Sequence, residues 1–189
     1  MDSALIVSRT EKSFEFFTQM LDSVRCEEIV TVNSCGEARR LMLGRDFDLC
    51  IINAPLSDES GESLSRHVAA RGICQVLLLV GAQYFEEMSA HVEDAGVITL
   101  SKPLHKDLFW SALKLARAAH IKMRGLQSEN TKLIRRIEDI RIVDRAKCLL
   151  ISYLGMTEAQ AHKYIEKQAM DTRMTKRAVA EDILKTYEY

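Results

Sequence analysis

The sequence has no run of 18 apolar residues, which excludes a membrane-spanning helix. Its first residues show no basic segment leading into an apolar run, so no secretory signal is expected. The five cysteines, Cys26, Cys35, Cys50, Cys74 and Cys148, include no CxxC and no Cys/His ligand spacing. Most sit in apolar surroundings and read as reduced core residues of a cytoplasmic protein. His67, His91, His105, His120 and His162 are scattered, and no nucleophile–base–acid set stands out. Neither an enzyme nor a metal or cofactor site is expected. Proline is absent from residues 104–153, where Gly125 is the only glycine.

What remains is 189 residues with 47% hydrophobic content, enough for one medium domain and one small one. The net charge of −1 conceals an asymmetry. Residues 1–110 hold ten Lys/Arg against seventeen Asp/Glu, a balance of −7. Residues 111–189 hold sixteen against ten, a balance of +6. The basic half suits an anionic partner, although a solvated helical surface carries such charge equally well.

Short apolar runs punctuate the acidic half. Residues 4–7, 26–32, 48–53, 75–80 and 97–101 read as five strands. Phe14, Phe17, Leu21 and Val24 recur at helical intervals in residues 11–24. Ser34 and Glu37 have capping-box spacing and open a helix through about Leu43. A polar loop from Pro55 to Gly61 precedes a helix through about Ala70. Strands alternating with helices predict a doubly wound parallel sheet, which binds ligands beyond its strands' carboxyl ends. The residues there are Ser8, Arg9, Asn53, Val80, Gly81 and Lys102.

Over residues 1–120 this order resembles a response-regulator receiver (CheY-like) domain. The most specific matches are DLCIINAP at 48–55 running on to Gly61, and Ser101-Lys102-Pro103. The resemblance implies a site of two acidic residues for Mg²⁺, a phospho-accepting Asp, a Ser or Thr, and a Lys. This chain has Ser8 and Arg9, Asn53, Val80 and Lys102 in those places. An Asn amide is no nucleophile for phosphoryl transfer, and Mg²⁺ needs oxygen ligands, chiefly carboxylates. The expectation is a pseudo-receiver, phosphorelay-like in form, with Asn53 and Lys102 kept as a hydrogen-bonded pair. The resemblance also implies a cis peptide before Pro103.

From residue 104 the pattern changes to one long helix. Ala112, Ala116, Ala119, Met123, Leu126, Asn130, Leu133, Ile137, Ile140 and Asp144 follow alternating steps of four and three, the seam of a coiled coil. About 50 residues of helix would reach about 75 Å, too long to bury in a domain of this size. A homodimer is expected, with Met123, Leu126, Asn130, Leu133, Ile137 and Ile140 as its seam. A facing pair of Asn130 side chains would set register. The competing reading is a helix packed back on its own domains. Gly125 marks a candidate bend, costing about 1 kcal/mol relative to Ala. Lys132, Arg135, Arg136, Arg141, Arg145 and Lys147 crowd the later part.

Gly155 is a natural helix end, Thr157 and Gln160 form a second capping box, residues 170–175 break that helix, and Thr175 caps a last one. Residues 132–185 resemble the ANTAR domain, an RNA-binding module of bacterial transcription antiterminators. The matching elements are Ala146-Lys147, Leu149-Leu150, the run Gly155 to Glu158, Ala161, Lys167, Ala169-Met170-Asp171, Arg173, Val179-Ala180 and Ile183-Leu184. Cys148 stands where a Gly is common. The domains expected are a pseudo-receiver at 1–119, a coiled-coil linker at 120–145, and a three-helix module at 132–189 continuous with it.

The resemblance implies RNA as a partner, with Lys147, Arg173, Lys176 and Arg177 as phosphate-binding cations, Tyr164 stacking and Met170 packing on a base. It implies paired stem-loops in a nascent leader transcript as target and antitermination as outcome. Antiterminators of the amidase-operon type, which combine a pseudo-receiver with this module, suggest control by a ligand-sensing partner protein. The alternative class is an adaptor whose basic helices bind an acidic protein. DNA binding is disfavoured, because residues 175–189 hold no recognition helix with several base-reading side chains.

Overall fold

The computed structural model describes residues 1–24, 26–72 and 74–187, so the last two residues of the expected C-terminal module lie outside it. The chain divides into two compact units, Met1–Gly125 and Leu126–Tyr189.

The first unit alternates β1 (Ser3–Val7), α1 (Glu11–Asp22), β2 (Glu28–Val32), α2 (Cys35–Leu43), β3 (Leu49–Asn53), α3 (Glu62–Ala70), β4 (Gln75–Gly81), α4 (Phe85–Val92) and β5 (Ile98–Lys102). Helix α5 (Lys106–Leu154) follows. The five strands are parallel in the order β2-β1-β3-β4-β5. Successive strand side chains point to opposite faces, so each strand feeds two cores. Leu5, Val7, Cys50, Ile52, Leu78 and Val80 pack with Ala38 and Met42 of α2, Leu64 and Val68 of α3, and Val92 of α4. Ala4, Ile6, Leu49, Ile51, Leu77 and Leu79 pack with Phe17 and Leu21 of α1 and with Phe109, Leu113 and Ala116 of α5. Phe16 and Phe17 lie 6.1 and 5.5 Å from Phe109, ring centre to ring centre.

Several local expectations change here. Helix α1 stops at Asp22, β2 starts at Glu28, and β5 ends on Lys102 itself. Helix α4 was not picked out in the sequence, although Phe85, Met88 and Val92 stand at helical spacing; its eight residues are few for a periodic pattern. The Ser34 capping box is half formed: Glu37 N–H donates to Ser34 Oγ at 3.2 Å, while Glu37 Oε2 accepts from Asn33 N–H at 3.1 Å. Gly61 precedes α3 at φ +91°, and a Cβ there would meet Ile52 Cγ2 at 3.0 Å, so the turn needs glycine twice over. The bonds before Pro55 and Pro103 are both cis.

The opening positions of the presumed seam face inward. Ala112 and Ala116 are buried against the sheet, and Met123 Sδ accepts a hydrogen bond from Gln75 Nε2 at 3.2 Å. His120, unremarkable in the sequence, is buried with Nε2 3.3 Å from Asp48 Oδ1. Asp48 Oδ2 also accepts the N–H groups of Asp2 (2.5 Å) and Ser3 (3.3 Å). Burial alone would raise this carboxyl's pKa, but those two N–H groups and His120 outweigh it and hold the pKa below the usual range.

The second unit is the end of α5 with α6 (Glu158–Thr172) and α7 (Lys176–Tyr187). Its core is Ala146 and Leu150 of α5, Ala161 and Ile165 of α6, and Val179, Ala180 and Ile183 of α7. Gly155, at φ +64°, ends α5 with its N–H on the carbonyl of Ile151. The Thr157–Gln160 box is complete, and Thr175 Oγ1 accepts the N–H of Ala178 at 3.1 Å. Helix α6 runs on through the expected break to Thr172, and Arg173 turns the chain.

Candidate functional site

At the carboxyl ends of the strands, Ser8 closes β1 fully buried and Asn53 closes β3. Asn53 Nδ2 donates to Ser8 Oγ and to Ser13 Oγ, each at 3.0 Å, which uses both amide hydrogens. Lys102 Nζ donates instead to the carbonyl oxygen of Ala54. The expected Asn53–Lys102 pair is therefore not made. The amide reaches Ser8, just past β1, and Ser13 of α1, while the ammonium takes a backbone oxygen. Burial lowers the Lys102 pKa from its ordinary value. Val80 is buried and brings no hydroxyl, and Arg9 is exposed. A Mg²⁺ ion does not fit this donor set, since Ser8, Arg9 and Asn53 offer it no carboxylate.

Among the described residues one group elsewhere has metal-ligand proximity, Cys35 with Asp58 and Glu59. Its acids already have protein donors. Asp58 accepts the N–H groups of Cys35 (3.1 Å) and Gly36 (2.9 Å), capping α2, and Arg39 Nη2 donates to Glu59 Oε2 at 2.8 Å. Burial first, then Asp58 and Glu59, push the Cys35 thiol up to about 12, so it stays a thiol at neutral pH.

In the second unit the six residues expected to touch RNA fall into two sets. Lys147, Lys176 and Arg177 line one cleft of about 580 Å³ together with Arg136 and His162. Each already holds a carboxylate. Lys147 Nζ lies 2.8 Å from Asp144 Oδ1 and 2.9 Å from Glu158 Oε1. Lys176 meets Glu166 at 2.5 Å, and Arg177 meets Asp139 and Glu181 at 2.8 Å each. Donating hydrogen bonds to these acids raises the pKa values of Lys147 and Arg177. Glu166, Glu158 and Asp139, 10, 11 and 38 residues away in the chain, leave no mark in a sequence pattern, whereas Asp144 and Glu181 stand at i,i+3 and i,i+4 spacing.

Tyr164, Met170 and Arg173 stand outside that cleft and are exposed. Met170 is 72% exposed. It shares the outward stripe of α6 with Lys163 and Lys167, opposite the buried Ala161 and Ile165. Lys163, Lys167 and Arg173 have no ion-pair partner among the described residues. Arg173 sits at φ 55°, ψ 34°, the one non-glycine residue with positive φ among the described residues. A glycine would hold that turn with less strain. Lys163 was not singled out in the sequence, and Lys167 only as an element of the family resemblance, although their four-residue spacing on the outer face of a predicted helix was the available signal.

Between the units' cores, residues 124–138 of α5 are exposed at every position. Leu126, Leu133, Ile134, Ile137 and Ile140 are each at least half exposed. No helix of the described residues is long and apolar enough to cross a membrane.

Comparison with known proteins agrees with this division. Residues 131–184 match the ANTAR domain. Residues of this chain align at 31% identity over 140 positions with the transcriptional regulatory protein PdtaR of two Mycobacterium tuberculosis strains, covering 74% of this chain and 68% of the relative. The fold resembles solved receiver domains. The signal receiver domain of an HD domain-containing protein from Pseudomonas fluorescens superposes with a TM-score of 0.55 at 21% identity, covering 67% of this chain and 91% of that one. A CheY-like receiver domain from Methylobacillus flagellatus gives 0.52 at 21%, covering 61% and 98%. A parallel five-stranded receiver-like unit, joined by one long helix to a matched ANTAR module and shared over most of its length with a transcriptional regulator, places the chain in the family of ANTAR response regulators.

Proposed function

We propose that this regulator binds RNA through its C-terminal module and acts as a transcription antiterminator. The observation that supports this most is the set of exposed groups on α6 and its end. Unpaired cations (Lys163, Lys167, Arg173) stand beside Tyr164 and Met170. Cations hold phosphates, while an aromatic ring and a polarizable thioether pack on unpaired bases. Lys147, Lys176 and Arg177 belong to the same interface in a second role. They contact phosphate once it displaces their carboxylates, an exchange that is cheap because the acids face solvent.

The aliphatic stripe from Leu126 to Ile140 supports a parallel homodimer, with Asn130 facing its copy. Two modules on one dimer would grip two stem-loops, the second contact being effectively intramolecular. Holding both in a nascent leader transcript would prevent a terminator hairpin from forming. Control lies outside phosphorylation, because Asn53 is not a phosphoryl acceptor, and rests with a partner protein that sequesters the regulator. The protein works in the cytoplasm and catalyses no reaction.

The test is binding of the full chain to a fluorescent two-stem-loop leader RNA, with a loop-mutated control and light scattering on the same sample. Loop-dependent binding by a dimer is expected, weakened in Arg173→Ala. Loop-independent binding, or affinity unchanged in both Arg173→Ala and Lys147→Ala, overturns the reading and favours an acidic protein partner. Incubation with a small phosphodonor and Mg²⁺ should leave the intact mass unchanged. A stable gain lost in Asn53→Ala refutes the claim for Asn53.

A further inference from the structure

A pocket of about 410 Å³ opens beside Asn53, lined among others by Lys12, Ser13, Phe16, Asn53, Lys102 and Leu104. We propose that it reversibly binds a small organic anion, a carboxylate or phosphate monoester with an apolar body. Its size is that of a small-molecule site. Its lining is mixed: the ammonium groups of Lys12 and Lys102 and the Ser13 hydroxyl are joined by the apolar side chains of Phe16, Phe17 and Leu104. No carboxylate lines it among the described residues.

The charge balance carries the argument. Lys147, Lys176 and Arg177 each have a carboxylate within 3 Å. Lys102 is half buried, and its acceptor is a neutral carbonyl. Lys12 stands exposed at the rim with no ion-pair partner among the described residues. A partly desolvated cation without a counter-charge is costly, and an anion relieves that cost. Asn53 cannot supply the missing charge. Its amide hydrogens face Ser8 and Ser13, which leaves its carbonyl oxygen as its remaining polar atom. Leu104 ties the pocket to the segment that opens α5, so an occupant would touch the start of the long helix.

This inference rests on the reading that Asn53 takes no phosphoryl group, but it is tested separately. Phenyl phosphate, benzoate, inorganic phosphate and uncharged benzyl alcohol would be titrated into the ¹⁵N-labelled full chain while amide shifts are followed. Saturable shifts of the Ser13, Asn53 and Lys102 amides by phenyl phosphate or benzoate are expected, with binding at least about tenfold weaker in Lys12→Met and in Lys102→Met. Lys12 is exposed, so its variant keeps the fold even if Lys102→Met does not. Phenyl phosphate or benzoate alone binding identifies the headgroup, and inorganic phosphate binding as well shows that the charge dominates; each supports the proposal. No saturable shift at these amides up to about 20 mM, an equal response to benzyl alcohol, or unchanged binding in Lys12→Met overturns it. A covalent mass gain with phenyl phosphate would refute the Asn53 reading instead.

Discussion

The two units of this chain satisfy the polar groups of their candidate sites in opposite ways. In Met1–Gly125 the critical ones are neutral or deeply placed: Asn53 on two serine hydroxyls, Lys102 on a carbonyl, and Asp48 on two backbone N–H groups and His120. In Leu126–Tyr189 they are surface ion pairs, acid against base, around Lys147, Lys176 and Arg177. Buried hydrogen bonds are expensive to leave unmade, whereas exposed pairs exchange partners at little cost. The first arrangement fixes a scaffold, and the second suits a surface that releases its cations to a polyanion. The first part of the second unit's helix offers side chains of a third kind, aliphatic and exposed.

The sharpest break in that comparison is expected in the helix. Each half-exposed Leu or Ile still gains about 1 kcal/mol when a copy covers it, so Leu133→Glu with Ile137→Glu should cost a dimer roughly 4 kcal/mol across four side chains, about a thousandfold. Sedimentation equilibrium should show a dimer for the parent chain and a monomer for the variant, with both units' circular dichroism intact. A dimer that survives the double substitution would place the interface elsewhere.

Next in size is Asp48→Ala. It leaves the N–H groups of Asp2 and Ser3 without their carboxylate and His120 without its acid. A loss of about 2 to 3 kcal/mol is expected, confined to the first unit. The pH dependence has a definite sign. Because Asp48 is held below its ordinary pKa in the fold, its contribution is present above about pH 4 and is lost as acid titrates the folded carboxylate. The parent's advantage over Asp48→Ala in chemical denaturation should therefore shrink steadily below pH 4. An advantage that does not change with pH would mean that Asp48 acts by packing alone.

How much of this was legible depended on whether a partner lay near in sequence. The five strands were legible because β-branched and aliphatic runs such as Ile29-Val30-Thr31-Val32 leave little choice of backbone, and the Thr157–Gln160 cap because its partners are three residues apart. The long helix followed from missing proline. Its seam did not hold at its opening positions. A heptad repeat reports that a face is apolar but not what covers it, so Ala112 and Ala116, which pack on their own sheet, looked like Leu133 and Ile137, which do not. Of the candidate site, Asn53 and Lys102 were placed correctly at the strand ends, yet their partners (Ser13, 40 residues away, and Ala54, 48 away) were not readable. The same holds for Glu166 on Lys176 and Asp139 on Arg177, 10 and 38 residues away, and for the depth at which His120 sits.

The smallest effect separates scaffold from surface at a single residue. Arg173 occupies a left-handed turn that glycine would hold with less strain, so its retention there calls for another role. Replacing it by alanine removes the side chain but keeps the strain, and any loss of RNA binding could then be blamed on the turn. Arg173→Gly removes that ambiguity. If the side chain serves RNA, thermal unfolding of the second unit should be unchanged or stabilised by up to about 1 kcal/mol, while RNA affinity falls about tenfold. Salt should matter as well. The slope of log affinity against log salt should be shallower in the variant by about one phosphate contact. Unchanged affinity and slope would make Arg173 a structural cap that happens to be charged, and would leave Lys163 and Lys167 as the cations of that face.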